Sequence, residues 1–218
     1  MKQTAAVGAL TEIALHSSDY GRIVDAFHAQ WGWETLGAPG LGAKVADWYC
    51  AKMMQSVTFG RLLIAPTGGT AGLAVGGVFG DRPVIGGDAR LPERRAALEK
   101  EIAAQKGGPE TIALYDHISR INEHLRRQTR ENGRVFAAEL YFLWVSPDYR
   151  GCGLSRRLLN AAMKAMKARR VKNFCLFTDT NCDWKFYMRD PWVACGRQPW
   201  PDVPGMRGGA GLMFGASL

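Results

Sequence analysis

The segment from residue 136 to residue 178 constrains the fold more than any other part of the chain. Residues 136–145 carry apolar side chains at both odd and even positions, which is typical of a strand buried on both faces of a sheet. Residues 146–153 form a turn rich in glycine and proline, and residues 172–178 resume as a strand. The helix between them is predicted to face the core with Leu154, Leu158, Ala162, Ala165 and Met166. Strand, turn, helix and strand make a βαβ unit, whose two strands are parallel and whose crossover is right-handed.

The rest of the chain is predicted to complete a single domain over residues 1–218. Its residues are 47% hydrophobic and 22% charged, which suits one globular domain with a sizeable core. The predicted elements before residue 83 are, in order, a strand near residues 13–15, a helix ending at Gly32, a loop at residues 37–42, a helix carrying Val45, Trp48, Tyr49 and Met53, and a hairpin of strands at residues 57–65 and 72–79.

Between that hairpin and the buried strand, residues 83–134 read as a helical insertion. Helical patterns at residues 91–105 and 110–130 are separated by Gly107, Gly108 and Pro109, and they predict an antiparallel helical hairpin. Beyond the βαβ unit, the sequence predicts a short helix near residues 183–189 and strands near residues 192–195 and 211–215.

Several protein classes are disfavoured by composition. The longest uncharged apolar run, residues 72–80, is too short and too rich in glycine to span a membrane, and Glu12 interrupts the weakly apolar N-terminus, so we expect a cytoplasmic protein. Five cysteines with no CxxC pair argue against a disulfide framework or a structural zinc site. The four histidines have no metal-ligand spacing, and no metal is expected.

Basic residues are concentrated in one segment. The chain has a formal net charge of +8, and residues 150–197 contain eleven Lys and Arg against three Asp. If this basic segment lies on the surface, it attracts polyanions, which include nucleic acid, an anionic membrane surface and a multiply phosphorylated small molecule. For Lys164, Lys167, Arg169 and Arg170 the simpler interpretation is favoured, because cations are stabilised at a helix C-terminus.

The glycine turn carries the strongest chemical signal. Glycines let a ligand approach the backbone, and the N–H groups at the start of the following helix favour an anion such as phosphate. The turn is not a Walker loop, because no Gly-Lys-Ser/Thr follows. It is not a dinucleotide-binding fingerprint either, because the third glycine is missing. Two glycines before a helix are also compatible with a tight turn that binds nothing.

This turn resembles the signature of the GNAT superfamily of acyl-CoA-dependent N-acetyltransferases. Arg150, Gly153 and Ser155 fill the positions of an Arg/Gln-x-x-Gly-x-Gly/Ala pattern, except that Ser replaces the final Gly or Ala. Downstream, Asn181 resembles the family's Asn-rich strand end, and Tyr187 its helix tyrosine, with Pro191-Trp192 following. The resemblance covers about residues 137–192. Residues 83–134 are inserted where the family usually has a short turn. A lid, a dimer face and part of the acceptor site all stay open as interpretations of this insertion.

The resemblance implies a fold of the α/β (α+β) class. It has a central mixed, mostly antiparallel sheet with a splayed parallel strand pair, flanked by helices, and here also the helical hairpin. The implied function is direct transfer of an acetyl group from acetyl-CoA to a primary amine in a ternary complex. The implied cofactor-binding residues are Leu143 and Val145 for the pantetheine arm, Arg150, Gly151, Cys152, Gly153, Leu154, Ser155 and Arg156 for the phosphates, with Arg157 as a further candidate, and Asn181.

Two residues are the catalytic candidates. Glu139 stands alone among apolar residues of the buried strand and is the candidate base, because an ammonium acceptor must lose a proton before it attacks the thioester. The alternative is a strand-end carboxylate pointing to water, which is nearly as well supported. Tyr187 is expected to meet the departing thiolate, the alternative being a core aromatic with its hydroxyl satisfied locally. Cys152 has no adjacent His or Asp and is interpreted as a loop residue rather than a nucleophile.

Other functions stay open at this point. A non-catalytic acyl-CoA-binding regulatory module would bind CoA tightly without turnover. Nucleic-acid binding by residues 150–197 is disfavoured, because no zinc-finger, RNP or helix-turn-helix signature is present. The acceptor is expected to be a small molecule rather than a protein, in a site shaped by residues 197–209, and a homodimer stays open.

Overall fold

The structure is a computed structural model, and it describes residues 9–32, 40–84, 90–200 and 208–218. The strands are β1 (Thr11–Ala14), β2 (Phe59–Ile64), β3 (Thr70–Val78), β4 (Ala138–Val145), β5 (Asn173–Asp179), β6 (Trp192–Pro199) and β7 (Ala210–Ser217). The α-helices are α1 (Tyr20–Trp31), α2 (Gly42–Met53), α3 (Leu91–Ala103), α4 (Gly108–Glu131) and α5 (Leu154–Ala168).

The strands form one seven-stranded sheet in the order β1-β2-β3-β4-β5-β7-β6. Every neighbouring pair is antiparallel except β4 and β5, which are parallel and joined by α5. The predicted mixed, mostly antiparallel sheet is therefore confirmed, as are the βαβ unit and the hairpin, now β2 and β3. The strand predicted to be buried on both faces is β4, the middle strand of the seven.

The parallel pair separates soon after it begins. Only Ala138, Glu139 and Leu140 of β4 pair with β5. From Tyr141 to Val145, the edge of β4 that faces β5 therefore has no strand partner among the described residues. The ladder between β3 and β4 shifts register at the same place, because Val75 pairs with Phe142 whereas Gly76 pairs with Leu140. Tyr141 is thus the extra residue of a β-bulge, and the splay begins where the bulge lies.

The bulge exchanges the faces that the two parities of β4 occupy. Leu140 packs in the core between the sheet and α5, whereas Phe142, two residues later, packs in the core formed with α1 and α2. An extra residue in a strand moves every later side chain to the opposite face. Both faces of the sheet are covered, so all these positions are apolar.

Helix α5 covers one face of the sheet. All five side chains that were predicted to face inward are buried, and they pack against β2, β3 and β4. The opposite face is covered by α1 and α2, with Ile23, Val45 and Trp48 in its core.

The segment predicted to be an insertion contains two helices, as the sequence predicts. Helix α3 lies against α2, where the indole Nε1 of Trp48 donates to Glu99 at 3.0 Å and Lys44 pairs with Glu101 at 2.7 Å. Helix α4 reaches further, because Leu125 packs with Met213 of β7 in a separate small cluster. Together, α3 and α4 therefore extend from α2 to β6 and β7 at the far side of the sheet.

Some predicted details differ. The helix expected at residues 183–189 is a single 3₁₀ turn at Trp184–Tyr187, and β6 extends to Pro199, into the predicted loop at residues 197–209. Residues 201–207 of that loop, and residues 37–39 of the predicted loop at 37–42, lie outside the described residues. Among the described residues, no helix is both long enough and apolar enough to cross a bilayer.

Candidate functional site

One cavity of about 630 Å³ occupies the splay between β4 and β5. On one side it is lined by β4, the glycine turn, the end of β5 and the residues that follow, and on the other by the inner faces of α1, α2 and α4. A single chamber thus joins the glycine turn to the insertion through the gap where the parallel strands part.

The glycine turn is shaped by two left-handed residues. Gly151 and Gly153 have φ angles of +80° and +75°, and no heavy atom lies within 4 Å of the position that a Cβ would take at either residue. Glycine is needed here for the backbone conformation, and the space beside it is open. Gly153 is the N-cap of α5 and has no side-chain cap, so the first N–H groups of the helix are available to an anion.

The residues predicted to bind the cofactor separate into two groups. Those that line the cavity are Leu143, Val145, Arg150, Gly151, Gly153, Leu154, Ser155 and Asn181. Cys152 and Arg156 are not among the lining residues, and the Cys152 thiol lies 3.9 Å from the carbonyl oxygen of Arg150. Arg157 pairs with Glu12 at 3.4 Å, which ties that guanidinium to β1.

Glu139 does not point to water. It is 6% exposed, and its Oε2 lies 2.6 Å from the Nη2 of Arg126, which comes from helix α4. The Arg126 guanidinium in turn lies over the rings of Phe177 and Phe79, at 5.1 and 6.0 Å. Burial raises the pKa of Glu139 to about 7, while the charge of Arg126 opposes that rise. A carboxyl group that titrates near neutral pH therefore lines the cavity.

Tyr187 lies on the 3₁₀ turn and lines the cavity from the β5 side. Its ring packs edge-on against Phe186 and Trp192, at 5.1 and 5.0 Å, and near Phe214 at 5.7 Å. Burial raises the pKa of the phenol above its ordinary value. The backbone N–H of Asn181 donates to Asp179 Oδ1 at 2.8 Å, which fixes the turn after β5.

The other side of the cavity was missed at the sequence level. Phe27, Trp31, Tyr49, Tyr115 and Phe142, here called the aromatic wall, line the cavity from α1, α2, α4 and β4. Phe27 stacks on Tyr49 with ring centroids 4.7 Å apart, and Trp31 lies 5.3 Å from Phe142. Tyr49 is one of the residues that predict the second helix, but periodicity does not distinguish a filled core from a cavity wall.

Titratable groups in the described part of the chain do not form a metal site, since no three His, Cys, Asp or Glu side chains are grouped to hold an ion.

Comparisons with known proteins point in one direction. A model of the acetyltransferase (GNAT) family matches residues 101–189, which include β4, the glycine turn, α5, β5 and the 3₁₀ turn. No curated protein matches the chain in sequence.

Solved structures share the fold over nearly the whole chain. The polyamine N-acetyltransferase of Drosophila melanogaster is 12% identical with a TM-score of 0.59, covering 95% of this chain and 100% of that one. A GNAT-family acetyltransferase from Desulfovibrio desulfuricans is 11% identical with a TM-score of 0.54, covering 96% and 99%. The PaiA N-acetyltransferase of Thermoplasma acidophilum, in complex with coenzyme A, is 12% identical with a TM-score of 0.51, covering 96% and 99%.

Proposed function

Since the chain has the GNAT fold and a GNAT family match across its βαβ unit, we propose that it is an N-acetyltransferase that moves an acetyl group from acetyl-CoA to a primary amine. The observation that carries this proposal is the cavity in the splay of β4 and β5. It brings an unpaired strand edge, an uncapped helix N-terminus and a buried carboxyl group to one chamber.

The donor binds along β4 and the glycine turn. Main-chain groups of Leu143 and Val145, on the free edge of β4, hydrogen-bond the pantetheine arm. The N–H groups of residues 151–156 hold the pyrophosphate at the start of α5, where the helix dipole favours negative charge. The open space at Gly151 and Gly153 supports this fit, because a phosphate group must approach the backbone closely.

Glu139 removes the proton from the ammonium form of the acceptor. An amine with a pKa near 10 is mostly protonated at neutral pH, and a base with a pKa of about 7 is well matched to that pH. The freed amine nitrogen attacks the thioester carbonyl carbon, and a strand N–H near Val145 stabilises the tetrahedral oxyanion. The C–S bond then breaks, and the Tyr187 hydroxyl donates a hydrogen bond to the departing thiolate. The proton that remains on the nitrogen passes to the thiolate, which leaves the neutral amide and the free thiol of CoA.

The ion pair between Arg126 and Glu139 favours a second candidate, a non-catalytic acyl-CoA-binding module. The guanidinium, 2.6 Å away, opposes the rise in pKa that burial gives Glu139, and the pair must loosen before the carboxylate accepts a proton. In that case the chain binds CoA and transfers nothing.

A CoA thermal shift and a thiol-release assay on this protein distinguish the two candidate functions. CoA at a hundred times its Kd should stabilise the fold by about 2.7 kcal/mol, which is visible as a rise in Tm. Acetyl-CoA with a panel of primary amines should release free thiol in proportion to acetylated amine. A thermal shift without turnover on any amine identifies the binding module, and the absence of a thermal shift overturns both candidates.

A further inference from the structure

Among the described residues, α1, α2 and α4 place no charged side chain in the lining of the cavity. They line it with Phe27, Gln30, Trp31, Tyr49, Met53, Tyr115, Ile118 and Asn122. Six of these eight side chains are aromatic or aliphatic, and Gln30 and Asn122 are neutral. This side of the cavity faces the splay from the insertion, where an acceptor would approach the thioester.

Three acidic groups of the described ranges line the cavity and lie outside these helices, and two of them are held by hydrogen bonds or an ion pair. Glu139 is paired with Arg126, and Asp179 Oδ1 accepts the backbone N–H groups of Asn181 and Cys182, at 2.8 and 3.1 Å. Asp183 belongs to the segment after β5, next to the 3₁₀ turn that carries Tyr187. In the described structure, the helical side of the cavity therefore offers no carboxylate to a second cationic group on the acceptor.

The aromatic wall is already assembled. Phe27 stacks on Tyr49 at an interplanar angle of 23°, and Tyr49 in turn packs against Tyr115 with centroids 5.4 Å apart. Rings held by their neighbours lose little conformational freedom when a ligand packs on them. Aromatic and apolar surface gains most by being removed from water, whereas an extra ammonium group would lose its hydration there.

On this basis we infer that the acceptor is an amine carried on an apolar aromatic body, with the ring against the aromatic wall and the amine directed to Glu139. This inference rests on the proposed acetyltransferase function and names its substrate class. A polyamine is the contrasting class, since its remaining cationic groups would have to be buried against the uncharged residues with which these helices line the cavity.

The test compares four acceptors with the full-length protein at saturating acetyl-CoA. 2-Phenylethylamine and tryptamine carry an aromatic body, n-butylamine is the short aliphatic control, and spermidine is the polyamine. We expect kcat/KM for the two aromatic amines to exceed that for butylamine and for spermidine by tenfold or more. Equal or better use of spermidine or butylamine overturns the inference while leaving the acetyltransferase function intact.

A second readout does not depend on turnover. Calorimetry on the CoA-saturated protein should detect binding of phenylethylamine with a Kd at least tenfold below that of spermidine. If CoA binds but no amine is acetylated, the catalytic proposal fails, and the inference about an acceptor falls with it. If acetylation occurs without a preference between phenylethylamine and spermidine in either readout, only the inference fails.

Two matched variants locate the preference. Ile118→Glu places a carboxylate on the cavity face of α4, and should lower kcat/KM for phenylethylamine tenfold or more relative to spermidine. Ile112→Glu makes the same change on the same helix, at a half-buried residue that does not line the cavity, and should leave that ratio unchanged. Unchanged ratios in an Ile118→Glu protein that still shows the CoA thermal shift overturn the inference.

If Ile118→Glu does not fold, Trp31→Leu replaces it. This change removes an aromatic surface from the half-buried end of α1. It should raise KM for the aromatic amines with little effect on KM for butylamine. Equal effects on both KM values count against the inference.

Discussion

The glycine turn and the aromatic wall line the same cavity, but they are built in different ways. The turn is one continuous stretch of the chain, and its shape depends on two left-handed glycines and the start of α5. The aromatic wall is assembled from α1, α2, α4 and β4, which are far apart in sequence. The proposed donor side of the site thus depends on the backbone of one local segment, whereas the proposed acceptor side depends on the tertiary packing of side chains.

Glu139 lies between these regions, and its removal should have the largest effect. Glu139→Gln keeps the size of the side chain but not the base, so the rate near neutral pH should fall by roughly 10² to 10⁴. The deficit should shrink at high pH, where free amine is abundant. Thiol release measured from pH 6 to 10 checks this, with the CoA thermal shift as evidence of an intact donor side.

Glu131→Gln is the matched control, because Glu131 is an exposed residue at the end of α4. Its rate should equal that of the wild type. A Glu139→Gln rate close to wild type at pH 7 would assign the proton to another group.

Gly153→Asp should break the donor side alone. It puts a side chain and a negative charge at the N-cap of α5, so the stabilisation of about 2.7 kcal/mol by CoA at a hundred times its Kd should vanish. Differential scanning fluorimetry with and without CoA measures it. Gly133→Asp has the same backbone strain, with φ of +76° and open space, and should keep the full CoA response. A retained response in Gly153→Asp removes the glycine turn from the phosphate site.

Tyr187→Phe should have a smaller effect, about tenfold on kcat with CoA affinity nearly unchanged. A phenol is a weaker acid than a thiol by about 1.5 pKa units. Burial raises the pKa of Tyr187 further, so a strengthening hydrogen bond suffices and full proton transfer is unnecessary. Steady-state kinetics separate kcat from KM, and Tyr149→Phe removes another phenol from the same cavity as the control. Full activity of the Tyr187→Phe variant would mean that Tyr187 is a core aromatic residue with no role in catalysis.

Arg126→Met should change the pH profile more than the maximal rate. The proposed base Glu139 can accept a proton only when it is ionised, so kcat/KM should fall as the pH drops below about 7. Arg126 lowers the pKa of Glu139, and without that charge the pKa rises and the acidic limb moves to higher pH. Arg126→Lys keeps the charge and should keep the limb nearer its wild-type position. If the acidic limb of the Arg126→Met profile stays at the wild-type pH, the group that titrates in this limb is not Glu139.

The sequence predicted what depends on neighbouring residues. The βαβ unit, the inward face of α5 and the glycine turn all follow from periodicity and turn chemistry within about forty residues. It did not predict that Glu139 is buried, because the partner that makes burial tolerable is Arg126, on an insertion helix thirteen positions earlier. The bulge at Tyr141 was also missed, since apolar residues at both parities are expected of any strand buried on both faces.

Helix α4 carries two contacts of different kinds on one rigid body. Tyr115 and Ile118 line the cavity from the N-terminal half of the helix, and Arg126 pairs with Glu139 about 12 to 17 Å further along the axis, at 1.5 Å per residue. Laboratory evolution toward a new acceptor would replace Tyr115 or Ile118 and so tilt the helix. The same tilt would change the distance from Arg126 to Glu139. Selection for a bulkier acceptor should therefore shift the pH optimum of the selected variants as well, with no mutation at either charged residue.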